Sequence, residues 1–98
     1  MNLTPESALK RDLKILLTER GAFWSAVAGG AYSKQGDPDL IACYKGRFIA
    51  IEGKTYNGTQ SQWQKTRQTQ IEHAGGIYIL ARNVDAVRDV LDSIDKPL

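Results

Sequence analysis

The dipeptide Lys45-Gly46 constrains the fold of this chain more than any other feature of the sequence. Apolar and β-prone residues lie on both sides of it, and a glycine-containing dipeptide between two such runs is typical of a β-hairpin with a two-residue loop. We therefore predict two antiparallel strands, residues 39–45 and 47–54. A two-residue loop at this point sets Tyr44 opposite Arg47.

The register of this hairpin brings two carboxylates together. Counting outward from the turn places Asp39 opposite Glu52, and because side chains alternate along a strand, Lys54 lies on the same face as Glu52. Opposed strand residues have Cβ atoms about 4.5–5.5 Å apart, and like charges at that separation repel each other. A divalent cation between the carboxylates, with a lysine beside it, would explain the pair. The alternative is a solvated sheet face on which Lys54 and Glu52 form an exposed ion pair, and the hairpin pattern alone favours neither interpretation.

Composition and charge exclude several classes of protein. The 98 residues are enough for one domain with a single modest core, so we predict one domain spanning residues 1–98. No apolar run approaches the roughly 20 residues that span a bilayer, and the N-terminus lacks the basic and apolar segments of a signal peptide. The single cysteine, Cys43, fits a reducing compartment, and we expect a cytoplasmic protein without a membrane partner. A net charge of +2 permits nucleic-acid binding without indicating it.

The other helices and strands follow from apolar periodicity and from capping residues. The predicted elements are a helix from Thr4 and Pro5 to Gly21, strands 23–27, 39–45 and 47–54, a helix from Thr59 or Gln60 to Ala74, a strand 77–81 and a last helix capped by Asn83. This α-β-β-β-α-β-α order predicts an α/β fold. Strands 47–54 and 77–81 should be parallel because a helix connects them.

Glu6 has an unusual place in the first predicted helix. It lies three residues before Leu9 and seven before Leu13, so helical periodicity puts it on the stripe that faces the sheet. An acid in the first turn also complements the helix dipole, but acids in that role usually face water. We therefore expect the Glu6 side chain to point toward the sheet.

Five motifs in one fixed order resemble a family of nucleases. They are Glu6, Gly36-x-Pro38-Asp39-Leu40, Glu52-x-Lys54, Ser61-x-x-Gln64 and Gly75-Gly76. This set is similar to the virus-type replication-repair nuclease (VRR-Nuc) domain, a branch of the PD-(D/E)xK superfamily of metal-dependent DNA nucleases. The resemblance implies a restriction-endonuclease-like core, in which helices flank a mixed central sheet. The chain departs from the family at Gly53, where relatives usually have a β-branched aliphatic residue, and in residues 28–34, where many relatives have an arginine.

The resemblance implies phosphodiester hydrolysis with Mg²⁺ or Mn²⁺ as the cofactor. Such ions prefer oxygen ligands, and they act both as Lewis acids and as activators of bound water. The implied metal ligands are Asp39, Glu52, the backbone carbonyl of Gly53 and, directly or through water, Glu6. Lys54 is expected to orient the attacking water and to offset charge in the transition state. Gln64 is expected to position the nucleophile or Lys54.

The implied substrate is DNA, with phosphate contacts expected from Lys34, Lys45, Lys65 and Arg67. The chain begins at Met1 and is expected to be a stand-alone domain, and small phage and bacterial relatives of that kind resemble Holliday-junction resolvases. A two-fold dimer matches a two-fold-symmetric junction. The main hypothesis is therefore a homodimeric, structure-selective endonuclease that nicks four-way junctions. A flap or non-selective nuclease with the same chemistry is one alternative, and a catalytically silent DNA-binding module is the other.

Overall fold

The computed structural model describes residues 3–27 and 35–97 of the chain. Its elements are α1 (Pro5–Glu19), β1 (Phe23–Ala26), β2 (Leu40–Tyr44), β3 (Arg47–Gly53), α2 (Gln62–His73), β4 (Ile77–Ala81) and α3 (Val84–Asp95). The predicted order of helices and strands is confirmed, and most boundaries agree closely with the expected ones. None of the helices in the described ranges is both long and apolar enough to cross a membrane.

The four strands form one mixed sheet in the order β1-β2-β3-β4. The pairs β1–β2 and β2–β3 are antiparallel, whereas β3 and β4 are parallel, as predicted for strands joined through a helix. Tyr44 pairs with Arg47 and Leu40 with Ile51, so the predicted hairpin register is confirmed. Lys45 and Gly46 both have positive φ, 49° and 80°, which is the backbone of the tight turn that suits the twist of a hairpin.

The hydrophobic core lies between one face of the sheet and the helices α1 and α3. Because side chains alternate along each strand, every second residue of β2, β3 and β4 points into this layer. The largest fully buried side chains come from both helices and from β2 and β3: Leu13, Leu17, Leu40, Ile49, Ile51, Val87 and Leu91. The apolar stripes predicted for the first and last helices thus form the core.

The first turn of α1 differs from expectation at Glu6. Thr4 caps the helix, since its side chain accepts a hydrogen bond from the backbone N–H of Ser7. Leu9 and Leu13 are buried as predicted, but half of the Glu6 side chain is exposed. The prediction that Glu6 lies on the buried stripe is wrong, since residues 3–7, the first turn of α1 and the residues before it, are all exposed.

The helix α2 lies on the opposite face of the sheet and begins later than predicted. It starts at Gln62 rather than at Thr59 or Gln60, because Ser61 forms the N-cap. None of its residues is buried, in agreement with the polar composition of this segment. It packs against β4, on the side of the sheet that also carries Glu52.

Candidate active site

Asp39 and Glu52 meet where β2 begins and β3 ends, as the hairpin register predicts. Asp39 directly precedes β2, and its Oδ2 atom accepts a hydrogen bond of 2.8 Å from the backbone N–H of Gly53. This bond fixes the Asp39 carboxylate against the end of β3. A Cβ at Gly53 would lie 3.5 Å from the same oxygen, an ordinary contact, so an alanine at this position would fit beside Asp39.

Glu52 is a buried carboxylate with one oxygen left unsatisfied. Only 4% of the residue is exposed. Its Oε1 atom accepts a hydrogen bond of 2.8 Å from Nε2 of Gln64, whereas Oε2 is buried without a hydrogen-bond partner among the described residues. Burial, followed by the negative charge of Asp39, raises the pKa of Glu52 from 4.5 to about 7.

The solvated sheet face that the hairpin pattern left open as an alternative is wrong for this site. Lys54 lies beside Glu52, with Nζ 4.0 Å from Oε1, but the Lys54 side chain is only 19% exposed and that of Glu52 only 5%. A carboxylate held out of water and short of hydrogen bonds is destabilising unless a positive charge compensates it. The long contact with Lys54 provides only part of that compensation.

The orientation of Gln64 follows from its position at the start of α2. The backbone N–H of Ser61 donates to Gln64 Oε1 at 2.9 Å, and the backbone N–H of Gln64 donates to Ser61 Oγ at 3.1 Å. This is a capping box. Because the amide oxygen is used by the cap, the amide NH₂ group points at Glu52. Gln64 was expected to act on the nucleophile or on Lys54, but its amide is bonded to Glu52 instead.

Lys10 is a site residue that the sequence analysis missed. Its Nζ atom lies 3.3 Å from Asp39 Oδ1 and 3.7 Å from Glu6 Oε1. The Lys10 ammonium thus links Glu6 to the carboxylate pair. The spacing of Glu6 and Lys10, four residues apart on a helix, is the signal that would have linked them. Nothing in the sequence indicated that Lys10 also reaches Asp39.

Of the four residues expected to contact phosphate, Lys34 and Lys45 are not among the described residues of this site. Lys34 lies outside the described residues. Lys45 is at the turn of the hairpin, the opposite end of the sheet from Glu52, where its ammonium is paired with Asp95. The hydrogen bond from Lys45 and those from Tyr44 and Arg20 lower the pKa of Asp95 to about 2.

The other two expected phosphate contacts are on α2. Lys65 is exposed, whereas Arg67 Nε lies 3.1 Å from Asp37 Oδ1 and so ties α2 to the segment before Asp39. Gly36 completes this junction. Its φ is +86°, and a Cβ there would lie 2.4 Å from the backbone oxygen of Trp63. The first turn of α2 and the segment that carries Asp39 are thus in direct contact.

The residues present fit a hard divalent cation. The buried, unpaired oxygen of Glu52 is an acceptor without a partner, and Asp39 is a second carboxylate beside it. Within residues 3–27 and 35–97, no group of three or more His, Cys, Asp or Glu side chains is arranged to hold a metal. A cation at this place would therefore use the two carboxylates, with the Gly53 carbonyl and water as further oxygen ligands, which suits Mg²⁺ better than Zn²⁺.

Comparison with known proteins gives one family and two structures. Residues 5–89 match the family model described as archaeal Holliday junction resolvase (Hjc). A solved VRR_NUC domain is 17% identical, covers 92% of this chain and 97% of its own, and superposes with a TM-score of 0.76. Hjc from Archaeoglobus fulgidus, a Holliday junction resolvase from an archaeal hyperthermophile, is 24% identical with a TM-score of 0.57. That match covers 74% of this chain and 63% of the Archaeoglobus chain. No curated protein matches the chain significantly.

Proposed function

Because the chain belongs to the archaeal Holliday junction resolvase (Hjc) family and has the fold of a VRR-Nuc domain, as its motifs predicted, we propose that it is a divalent-metal-dependent endonuclease that cuts four-way DNA junctions as a homodimer. That the chain is a nuclease follows from its family. The finer proposal is carried by Glu52, a buried carboxylate that faces Asp39 and has one oxygen without a hydrogen bond.

The proposed cofactor is Mg²⁺ or Mn²⁺, held by Asp39, Glu52 and the Gly53 carbonyl, with Glu6 as a further ligand through water. When bound, such an ion supplies Lewis acidity and lowers the pKa of a coordinated water. Hydrogen bonds within the chain orient the two carboxylates that would bind the ion. The Gly53 N–H orients Asp39, and Gln64 holds Oε1 of Glu52, which leaves Oε2 of Glu52 as the free donor.

Lys54 is the proposed catalytic cation of the chain itself. Its ammonium lies beside Glu52 and is partly open to solvent, so it can donate to a water or to a phosphate oxygen. A fixed donor aimed at developing negative charge commonly contributes a factor of about 10²–10³ to the rate. Gln64 is a positioning residue in this scheme, since it acts through Glu52.

Phosphate binding is proposed for Lys65, which is exposed on α2, the helix whose Gln64 contacts Glu52. Arg67 and Lys34 remain proposals of the same kind, while Lys45 is committed to Asp95 at the far end of the sheet. Contacts of this type bind the DNA backbone and carry no sequence information. Selectivity for branched DNA therefore needs another source.

A homodimer is the proposed source of selectivity, because two copies related by a two-fold axis present two sites to the two halves of a junction. An uncovered apolar row supports this part of the proposal. Phe23 pairs with Cys43 and Cys43 with Phe48 across three strands. Phe23 is 70% exposed and Phe48 46% exposed, and aromatic side chains are enriched at protein interfaces.

The experiment compares cleavage of a four-way junction, a 5′ flap and an uninterrupted duplex of the same sequences, with Mg²⁺, Mn²⁺ or EDTA. We expect paired symmetric nicks in the junction only, and only with metal. Lys54→Ala should lower the rate by about 10²-fold or more. Lys45→Ala, a matched loss of one lysine at the far end of the sheet, should retain most of the activity.

Other outcomes of this experiment point to the alternatives. Cutting of the flap or of all three substrates, lost in Lys54→Ala, would keep the chemistry and make the protein a flap or non-selective nuclease. Junction binding without cutting by the wild type would support the silent module. Equal activity in EDTA would contradict metal dependence.

A further inference from the structure

The turn that follows Lys54 is held unusually firmly for a surface segment. The chain leaves the sheet at Lys54, whose backbone N–H donates a hydrogen bond of 2.9 Å to the carbonyl of Ala81. The Gly58 N–H then donates to the Thr55 carbonyl, also at 2.9 Å. Residues 55–58 thus form a hydrogen-bonded turn directly beside the proposed catalytic lysine.

Arg82, the residue after β4, is hydrogen-bonded to the backbone of this turn. Its Nη1 atom lies 2.9 Å from the Thr55 carbonyl oxygen and 2.8 Å from that of Gly58, with the Tyr56 oxygen at 3.4 Å. All three oxygens lie around the same nitrogen of the guanidinium group, at the far end of the long Arg82 side chain. A charged side chain used in this way makes the turn rigid.

The same turn packs on the side chain of Lys54. A Cβ at Gly58 would lie 3.3 Å from Cδ of Lys54, so the glycine allows the turn to lie close to the lysine stem. The Cα atoms of Lys54 and Tyr56 are at most about 7 Å apart, the reach of two extended residues. Any strand whose phosphate meets Lys54 therefore passes close to residue 56.

Tyr56 is at the tip of this turn and is 91% exposed. Tyr44 and Tyr78, which lie in the sheet, are instead buried. The Tyr44 hydroxyl group is hydrogen-bonded to Asp95, and that of Tyr78 to Gln60. An aromatic ring that is so largely exposed, on a hydrogen-bonded turn beside a nuclease site, has its flat face available for a ligand.

We propose that Tyr56 stacks on a nucleobase at the branch point of the DNA substrate, and that Arg82 is a positioning residue that holds it there. This inference rests on the proposed function. Inside a continuous duplex each base already stacks on two neighbours, and freeing a face costs a few kcal/mol. A base at a branch has an exposed face, so Tyr56 favours branched DNA over duplex without reading sequence.

The test measures the affinity of the protein for a four-way junction and for a matched duplex. The affinity for the junction comes from enzyme titration in single-turnover cleavage, and the affinity for the duplex can be measured by direct binding. The readout is the ratio of the two affinities. Tyr56→Leu, which keeps an apolar side chain but removes the aromatic face, should lower this ratio about 5- to 140-fold, the range of base–aromatic stacking converted at tenfold per 1.4 kcal/mol. Tyr56→Phe keeps the ring and should retain the junction preference.

Arg82→Lys provides the second arm, because it keeps the positive charge but its nitrogen ends one bond short of the Nη1 position that contacts the turn. A smaller, junction-selective loss in Arg82→Lys supports positioning, whereas an equal loss on both DNAs would indicate ordinary phosphate binding and overturn the role of Arg82. An unchanged ratio in Tyr56→Leu overturns stacking while leaving the nuclease proposal intact. A wild type that neither binds nor cuts any DNA overturns both.

Discussion

Glu52 illustrates how a single residue can carry the electrostatics of a site. It is almost wholly buried, it faces a second carboxylate, and the Lys54 ammonium, its salt-bridge partner among the described residues, is 4.0 Å away. Removing a charge from water is expensive unless hydrogen bonds or a cation replace the lost solvation. Only one of its two oxygens is hydrogen-bonded within the described part of the chain. Without metal, these surroundings raise the pKa of Glu52 to about 7, so much more of it is protonated near neutral pH than of an ordinary glutamate.

The pH dependence of stability tests this description of Glu52. Since its pKa is 4.5 ordinarily and about 7 in the folded, metal-free protein, the folded state binds more protons than the unfolded state between these values. Stability should therefore fall as the pH rises from about 4.5 to about 7, by roughly 3 kcal/mol at most. Urea unfolding of the metal-free protein at pH 5 and pH 8 measures the difference.

Glu52→Gln is the control, because an amide keeps the shape and the bond to Gln64 but does not titrate. The variant should lose most of this pH dependence and be more stable than wild type at pH 8 without metal. Added Mg²⁺ should stabilise the wild type at pH 8 and not the variant. The same fall with pH in both proteins would mean that another group is responsible.

The helix α2 shows how an element can be positioned without a buried side chain. Its N-terminal half is held by polar contacts, from Gln64 to Glu52 and from Arg67 to Asp37, and by the close approach of Gly36 to the backbone of Trp63. The polar composition predicted from the sequence is therefore compatible with a fixed place next to the site. No residue type other than glycine fits at position 36. The backbone there has a positive φ, and the Trp63 backbone is too close for any Cβ.

Gly36→Ala and Gly46→Ala separate these two effects. Both glycines have φ near +80°, at +86° and +80°, but a Cβ at Gly46 meets nothing within 4 Å whereas one at Gly36 lies 2.4 Å from the Trp63 oxygen. Both substitutions should cost about 1–2 kcal/mol for the backbone conformation. Gly36→Ala should cost about 1–3 kcal/mol more, because of overpacking. Equal losses in urea unfolding would show that the segment before Asp39 adjusts freely.

On the scale of the whole molecule, one end of the sheet carries the candidate site and the other carries an ion-pair cluster that stabilises the fold. One end carries Asp39 and Glu52. At the other end Asp95, at the C-terminus of α3, binds Lys45, Tyr44 and, at 2.6 Å, Arg20. This cluster joins both core helices to the hairpin turn, so the cations there serve the fold.

The proposed dimer is also a property of the whole molecule. Phe23→Glu introduces a charge into the apolar row of Phe23, Cys43 and Phe48, and it should dissociate a dimer that uses this face, because a buried unpaired charge is costly. Ile15→Glu is the matched control, as Ile15 is 48% exposed on α1, the helix on the other side of the sheet. Sedimentation equilibrium gives the mass. A monomeric wild type would contradict the dimer, and dissociation by Ile15→Glu alone would move the interface to α1.

Local sequence patterns were enough to predict the hairpin and the starts of two helices. A turn dipeptide and alternation along two strands determined the hairpin register, and with it the meeting of Asp39 and Glu52. Caps at Thr4 and Asn83 marked where helices begin, and the motif order predicted the family. The hairpin and the helix starts were predicted correctly because each depends on residues close together in the chain, where backbone geometry leaves few alternatives.

Only the tertiary structure decided which side chains surround the carboxylates and how far from water they lie. The burial of Glu52, the bond from Gln64, the approach of Lys10 to Asp39 and the exposure of Glu6 depend on how whole helices pack on the sheet. The pairing of Lys45 with Asp95 joins residues 50 positions apart. Such contacts are set by the sum of packing over many elements, and no single stretch of sequence encodes them.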